Sequence, residues 1–193
     1  QYARSYRRML EPMKTAEQKL GDNELPLTTV AATQLARLMA YKDEYEVARL
    51  FSQPEFKENL RQNFAGEPGR DYRLNFSLAL PFLAGRDHRG QLVKRQFGPW
   101  LMKLFPLLAR LKFLRGSWLD AFSYTQERKQ ERRLIEDYAH TLLRLSQTLS
   151  RENLERTREV LELPQQVRGY GHVKAASIER YEQLRTDLLG KIR

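Results

Sequence analysis

Apolar residues at helical spacing limit the fold of this chain more than any other feature. Between residues 134 and 149 they stand at Leu134, Ile135, Tyr138, Leu142, Leu145 and Leu149. Steps of three and four place these side chains on one face of an α-helix, whereas a strand would divide them between its two faces. The same period recurs along most of the chain between proline and glycine stops. The sequence therefore predicts a mainly α protein of about six helices.

Proline, glycine and capping residues set the predicted helix ends. The first helix covers residues 2 to 20, and a long second helix runs from Pro26 to Phe51. Ser52 and Glu55 form a capping box for the next helix. An apolar helix from Pro99 to Arg115, kinked at Pro106, is expected to be buried, and Ser150 is expected to start a short helix that ends at Leu163. The last helix is expected to turn four side chains inward: Val173, Tyr181, Leu184 and Leu188.

One segment departs from the helical period. Residues 72 to 78 alternate with a period of two, which is typical of a strand, and residues 91 to 97 form a plausible return strand. Residues 85 to 90, rich in glycine and charge, would be the turn between them. The sequence therefore predicts one β-hairpin near residues 72–97, packed on helices because an isolated hairpin is marginally stable.

Length and composition restrict the class of protein. A chain of 193 residues is most simply a single domain, 1–193, although residues 1–22 could instead be a connecting helix from a preceding domain. The chain starts at Gln1 inside a helical pattern, so we expect it to be part of a longer polypeptide. It contains no cysteine, which excludes disulfides, thiolate catalysis and cysteine-ligated clusters within these residues. A reducing, cytoplasmic location is expected.

The net charge of +10 raises the question of an acidic partner. Arginine and glutamate alternate in QERKQERR (126–133) and RENLERTRE (151–159), which is typical of solvated helix faces with internal pairs. A basic module that binds nucleic acid is the alternative, but no binding signature accompanies the charge. The most apolar run, Trp100 to Leu114, would be a helix of about 22 Å, too short for the ~30 Å membrane core.

The stretch LPQQVRGYGHVKAA, residues 163–176, offers a candidate site. It places Arg168, Tyr170, His172 and Lys174 around the start of a helix, where free amides favour an anion. These residues could bind a carboxylate or phosphate, or contact a neighbouring domain. The alternative is a turn that only fixes the angle between two helices, since the glycines do not form a phosphate-loop pattern.

A second candidate is the acidic run YKDEYE, residues 41–46, inside the predicted long helix. Its carboxylates could serve acid–base chemistry or hold a cation. On a helix, however, Asp43, Glu44 and Glu46 point in different directions. We therefore favour pairing of Lys42 with Glu46, and of Asp43 or Glu46 with nearby arginines. No histidine pair has metal-ligand spacing, and no nucleophile motif is present, so the residues alone indicate a helical interaction or scaffold domain.

Four strings together resemble a known family. They are LMAYKDEYEVARLF (38–51), KRQFGPW (94–100), LRGSWLDAFSYTQERKQERRLI (114–135) and VRGYGHVKAA (167–176). In this order they are similar to the C-terminal domain of the fused indolepyruvate ferredoxin oxidoreductases, members of the 2-oxoacid ferredoxin oxidoreductase family. The resemblance covers most of residues 25 to 190.

The resemblance implies a parent enzyme that oxidatively decarboxylates aryl pyruvates with thiamine diphosphate, Mg²⁺ and 4Fe-4S clusters. It implies no catalytic or metal-binding residue and no cofactor in this chain, because Gly21-Asp22-Asn23 lacks the second glycine of a thiamine motif and cysteine is absent. The chain alone is therefore expected to be inactive. The implied partners are upstream domains of the same polypeptide, with ferredoxin and CoA as further candidates, in a homo-oligomeric parent.

Overall fold

The structure is a computed structural model, and it describes residues 2–67, 70–78, 85, 95–115, 117–120, 122, 124–169 and 171–192, the last range without the side chains of 171 and 172. These residues form eight α-helices, two 3₁₀ helices (Leu111–Leu114 and Leu163–Gln166) and one two-stranded antiparallel sheet. The mainly helical fold with one hairpin is confirmed, with eight helices in the described ranges instead of about six. The elements are α1 (Tyr2–Lys19), α2 (Pro26–Met39), α3 (Glu44–Ser52), α4 (Pro54–Asn63), β1 (Phe76–Leu78), β2 (Arg95–Phe97), α5 (Leu101–Arg110), α6 (Gln126–Thr148), α7 (Leu154–Glu162) and α8 (Gly171–Gly190).

The chain divides into two compact units. The first unit comprises Gln1–Tyr41 and Lys129–Arg193, and the second comprises Lys42–Arg128. The boundary falls inside α6, so the helical pattern gives no composition break or linker at that point. The prediction of a single domain over residues 1–193 stays a prediction.

The core of the first unit is built from the predicted helical stripes. Apolar residues of α1, α2, α6 and α7 form one cluster, in which Met13, Leu35 and Leu142 are fully buried. Five of the six apolar positions predicted for α6 are buried: Leu134, Ile135, Tyr138, Leu142 and Leu145. The Tyr138 hydroxyl donates to the Leu161 carbonyl at 2.9 Å, so burying this phenol leaves no unpaired hydroxyl.

Phenylalanine rings form the core of the second unit. Phe76 of β1 and Phe105 of α5 are buried, and their ring centroids lie 5.1 Å apart. Phe51 of α3 stacks on Phe105 at 5.1 Å and meets Phe76 edge-on at 5.4 Å. The hairpin thus packs against α3 and α5, as expected for a sheet too small to be stable alone.

The predicted helix from Pro26 to Phe51 is wrong, because the chain forms two helices there. Ala40 leaves the helical conformation at φ −84° and ψ 43°, and α2 ends at Met39. The Asp43 carboxylate then accepts hydrogen bonds from the amides of Tyr45 and Glu46, which gives α3 its own N-terminal cap. The apolar period runs through both helices, so it did not reveal the break.

Two predicted caps are also wrong. The Ser52 hydroxyl donates to the Ala48 carbonyl at 2.6 Å, so α4 starts after Gln53 without a side-chain cap. Ser150 does not cap α7, because the residue at the N-cap position is Asn153 and no side chain caps the helix. The Ser150 amide instead donates to the side chain of Asn153 at 3.0 Å. The Ser52 hydroxyl satisfies a backbone carbonyl, whereas the Asn153 side chain satisfies the backbone amide of Ser150, and the sequence pattern showed neither bond.

The hairpin is confirmed in a shorter form. Antiparallel pairing joins Phe76 to Phe97, Ser77 to Gln96 and Leu78 to Arg95. The remaining residues of the predicted return strand and all but Gly85 of the predicted turn lie outside the described residues. Within the described ranges, the helices are too short or too polar to cross a membrane.

Candidate interaction surface

The helix α5 exposes one of its apolar faces, contrary to the prediction of a buried helix. Leu101 and Phe105 are buried, but Leu104 is 45% and Leu107 is 58% exposed. Trp100, immediately before the helix, is also exposed and has helical backbone angles. Because Trp100, Leu104 and Leu107 are spaced by four and three, they form a stripe on the side of the helix away from Leu101 and Phe105.

The segment after α5 adds larger exposed side chains. Phe113 in the 3₁₀ helix is 78% exposed, and Trp118 in the following turn is 80% exposed. The Ser117 hydroxyl donates to the Leu114 carbonyl at 2.6 Å and accepts from the Leu119 amide at 3.2 Å. The Tyr124 hydroxyl donates to the Trp118 carbonyl at 2.6 Å. The indole of Trp118 therefore projects into solvent from a hydrogen-bonded backbone.

We call these side chains the apolar face. Large exposed apolar side chains are concentrated between residues 100 and 124 of the chain, although isolated ones are common on any protein surface. Tryptophan, tyrosine and phenylalanine are enriched in the centres of protein interfaces, where their area contributes most of the binding energy. The apolar face consists of Trp100, Leu104, Leu107, Phe113, Trp118, Leu119 and Tyr124.

The acidic run pairs with basic residues that follow α5. Asp43 lies 2.8 Å from the Arg115 guanidinium, Glu46 lies 2.7 Å from the Lys112 ammonium, and Glu44 lies 2.7 Å from the Arg128 guanidinium. The predicted pairing of Asp43 with an arginine is confirmed. Lys42 lies 3.9 Å from Glu44, so its predicted pairing with Glu46 is wrong. These pairs join α3 to the segment that presents the apolar face.

Two pKa shifts reflect these contacts. Hydrogen bonds from Arg49 and Lys112 lower the pKa of Glu46 to about 2. Burial, followed by the hydrogen bond that its hydroxyl donates to Asp120 at 3.0 Å, raises the pKa of Tyr45 to about 12. The Tyr45 ring also meets Phe122 edge-on at 5.2 Å. Both shifts favour the protonation states that stabilise the folded unit, with Glu46 charged and Tyr45 neutral.

The predicted anion site lies in the first unit, at the start of α8. The Lys174 ammonium lies 2.6 Å from Glu131, in a pair that is largely shielded from solvent. The Arg168 guanidinium donates to the Gln165 carbonyl at 2.9 Å. Tyr170 and the side chain of His172 lie outside the described residues. An anion or interdomain contact at these four residues stays a prediction.

Gly169 gives this turn a structural role. Its φ is +91°, and an added Cβ would come within 2.7 Å of Val173 Cγ1. Only glycine fits there without strain. Val173 is 53% exposed, so its predicted inward position is wrong, whereas Tyr181 is buried as predicted.

Among the described residues, histidine, aspartate and glutamate form no group of three that could hold a metal ion.

Sequence reasoning missed the apolar face because α5 was taken as a single apolar run. The signal that was missed is the position of its two cations around the helix axis. Lys103 and Arg110, seven residues apart, fall on one side of the helix, next to the Trp100–Leu107 stripe. On an amphipathic helix the charged residues mark the side that faces solvent, so the position of Lys103 and Arg110 indicates which side of α5 is exposed.

The fold and its surface define a class of protein, namely a helical protein with an exposed aromatic face. The chain belongs to the family of unknown function DUF6537, whose model matches residues 1–187. Comparison with curated proteins and with solved structures gives no match.

Proposed function

We propose that this chain is a non-catalytic accessory domain of a thiamine-diphosphate-dependent 2-oxoacid ferredoxin oxidoreductase acting on aryl pyruvates, and that it serves assembly with the other domains. The observation that carries the assembly role is the apolar face, where Trp118 and Phe113 are 80% and 78% exposed. Exposed aromatic side chains on an ordered backbone are typical of surfaces that a partner covers.

The carboxylates of the acidic run form ion pairs, which supports a structural role for them. Asp43, Glu44 and Glu46 each form an ion pair within the second unit, and Glu131 pairs with Lys174 in the first. At these distances each carboxylate is engaged by a cation of the fold, which leaves it poorly placed to accept a proton from a substrate. Pairing of this kind stabilises the fold.

The resemblance to the oxidoreductases supports the proposed parent. Residues 114–135, the longest of the four similar strings, include Trp118 and Tyr124 of the apolar face. The string 94–100 ends at Trp100, and the string 38–51 includes the acidic run that pairs with the segment after α5. Three of the four strings therefore contribute to this surface or to the contacts behind it.

The cofactors of such an enzyme would belong to its other parts. The chain has no cysteine, so the ligands of any 4Fe-4S cluster would come from elsewhere in the parent. Substrate access and docking of ferredoxin or CoA are further roles that the net charge of +10 would favour. Docking of an acidic ferredoxin should weaken steeply with salt, because the screening length is about 8 Å at physiological ionic strength.

Sequencing the gene upstream of the Gln1 codon tests the parent. We expect the same reading frame to encode a thiamine-diphosphate motif and clustered cysteines; a stop codon directly upstream would contradict the proposal. The purified native protein should then contain iron and thiamine diphosphate and reduce a viologen dye with an aryl pyruvate and CoA. The 193-residue chain alone should show no turnover.

A further inference from the structure

We infer that the apolar face binds a protein surface that is apolar at its centre and bordered by carboxylates. This inference rests on the proposed role as an accessory domain, and it names the surface and the chemistry of the partner.

The described residues around Trp118 are joined by hydrogen bonds. The backbone of this turn is held by Ser117, which bonds to Leu114 and Leu119, and by the Tyr124 hydroxyl on the Trp118 carbonyl. An aromatic side chain has only two rotatable side-chain bonds and so loses little conformational entropy on binding, which leaves more of its buried area as affinity. Trp118 is therefore the expected anchor of the interface.

The stripe on α5 is fixed in the same way by the other side of its helix. Leu101 and Phe105 lie in the phenylalanine core, and Phe105 is stacked on Phe51 at 5.1 Å. This packing sets the rotation of α5, so Leu104 and Leu107 face outward without a conformational change. A partner would meet a preformed surface of about two helical turns.

The charged residues of α5 itself, Lys103 and Arg110, are both cations. Between residues 99 and 119 the chain has four cations and no acidic residue. Arg115 and Lys112 pair with Asp43 and Glu46. Lys103 and Arg110 are exposed and form no ion pair with any residue in the described ranges. Electrostatic complementarity therefore calls for carboxylates on the partner opposite Lys103 and Arg110.

The same charges argue against two other occupants. A second copy would bring a chain of net charge +10 onto another, with like charges beside the same face. Attachment to anionic lipid takes clusters of about four to eight basic residues, whereas this face offers two unpaired cations. A protein surface with carboxylates satisfies both the apolar and the charged groups.

Zero-length carbodiimide cross-linking of the protein purified in its native assembly tests this inference. The reagent joins an amine to a carboxylate in direct contact. We expect Lys103 to be coupled to an aspartate or glutamate outside the 193 residues, in a segment that also contains apolar residues. Lys57, an exposed lysine of α4, should not be coupled to that segment.

Matched variants show whether the apolar face holds the contact. Trp118→Ala and Leu107→Glu should lower the yield of the Lys103 cross-link by roughly tenfold or more, as expected when an anchoring side chain is lost. Leu143→Glu, at a leucine of α6 that is 45% exposed, should leave the yield unchanged. We expect each variant to fold, since all of these side chains are exposed, and thermal unfolding of each variant checks this.

Three results would overturn the inference. One is a Lys103 cross-link only to carboxylates of a second copy of this chain. Another is a cross-link yield that is unchanged by Trp118→Ala. The third is cosedimentation of the protein with vesicles of phosphatidylserine and phosphatidylcholine that is lost in Leu107→Glu. If the partner segment is found but no thiamine motif is encoded upstream, the inferred docking surface is supported and the parent enzyme is rejected. If a thiamine motif is encoded upstream but no partner segment is coupled to Lys103, only the docking surface is rejected.

Discussion

The carboxylate of Glu17 accepts a hydrogen bond from the backbone amide of Leu27 at 2.8 Å, so a side chain of α1 caps the start of α2. The second carboxylate oxygen accepts from the amide of Thr28 at 2.6 Å. The residue before α2, Leu25, has no side-chain oxygen and a φ of 54°, so it cannot cap the helix. Glu17 is buried, and both of its carboxylate oxygens accept hydrogen bonds from the first turn of α2.

Replacing Glu17 tests this cap. Glu17→Ala should lower the free energy of unfolding of the first unit by about 2–3 kcal/mol, because buried amides lose their acceptor. Glu17→Gln should lower it less, since the amide carbonyl still accepts one bond. Urea denaturation measures both. Glu11→Ala, at an exposed carboxylate of the same helix, serves as the control and should change stability little.

Two glycines should respond in opposite directions to alanine. Gly169 has a φ of +91° and Val173 Cγ1 at 2.7 Å from an added Cβ, so Gly169→Ala should destabilise by about 1–3 kcal/mol. Gly190 ends α8 without a positive φ, and a Cβ added to it would meet no atom within 4 Å. Gly190→Ala should therefore stabilise by about 0.4–1 kcal/mol. A neutral Gly169→Ala in thermal unfolding would contradict the turn geometry.

The two sides of α5 should differ sharply in their effect on stability. Phe105→Ala should cost about 3–5 kcal/mol, because it opens a cavity among stacked rings in the core of the second unit. Leu107→Ala should stay within about 0.5 kcal/mol of the parent chain, because its side chain is already in water. Equal losses in chemical denaturation would mean that Leu107 is buried and that α5 lacks an exposed face.

Alkaline pH should expose the contribution of Tyr45. Its pKa is raised to about 12, from the usual value of 10.0, chiefly by burial. Because the unfolded phenol ionises first, the stability it contributes is complete below pH 10 and is lost as the pH rises through about 12. Tyr45→Phe should therefore make the loss of stability over this range less steep than in the parent chain.

At neutral pH, Tyr45→Phe should lower the free energy of unfolding by about 1–2 kcal/mol, since the buried Asp120 carboxylate loses a donor. Tyr124→Phe removes a hydroxyl that is exposed and should cost less. Urea denaturation of the two variants at matched pH compares them. An identical pH dependence for Tyr45→Phe and the parent chain would show that Tyr45 ionises at its usual pKa.

The sequence predicted the elements whose apolar period is long and uninterrupted. In α6, Tyr138, Leu142 and Leu145 are buried as predicted, because one helical stripe can face only one core. The prediction failed where a local hydrogen bond decided the outcome. Asp43 caps α3 and Ser52 bonds back to Ala48, and neither choice changes the apolar pattern. The hairpin was recognised from its alternation, which survives in the short pairing of Phe76 with Phe97.

The candidate surface was harder to predict, because a stripe of leucines looks the same whether a core or a partner covers it. The sequence of α5 shows apolar residues on two sides, but only the packing of Phe105 against Phe51 and Phe76 identifies the buried side. The acidic run was correctly predicted to pair with arginine at Asp43. Its partner, Arg115, stands 72 residues away, and no local pattern could name it.

The sequence by itself determined the helical class, the single hairpin and the absence of thiol chemistry, since these follow from local period and composition. Tertiary structure decided the division into two units, the cap that Glu17 provides for Leu27 and the outward position of Leu107. The physical reason is that each of these depends on contacts between residues distant in the chain. Local propensity cannot specify such contacts, because it gives each helix an apolar face but does not say what will cover it.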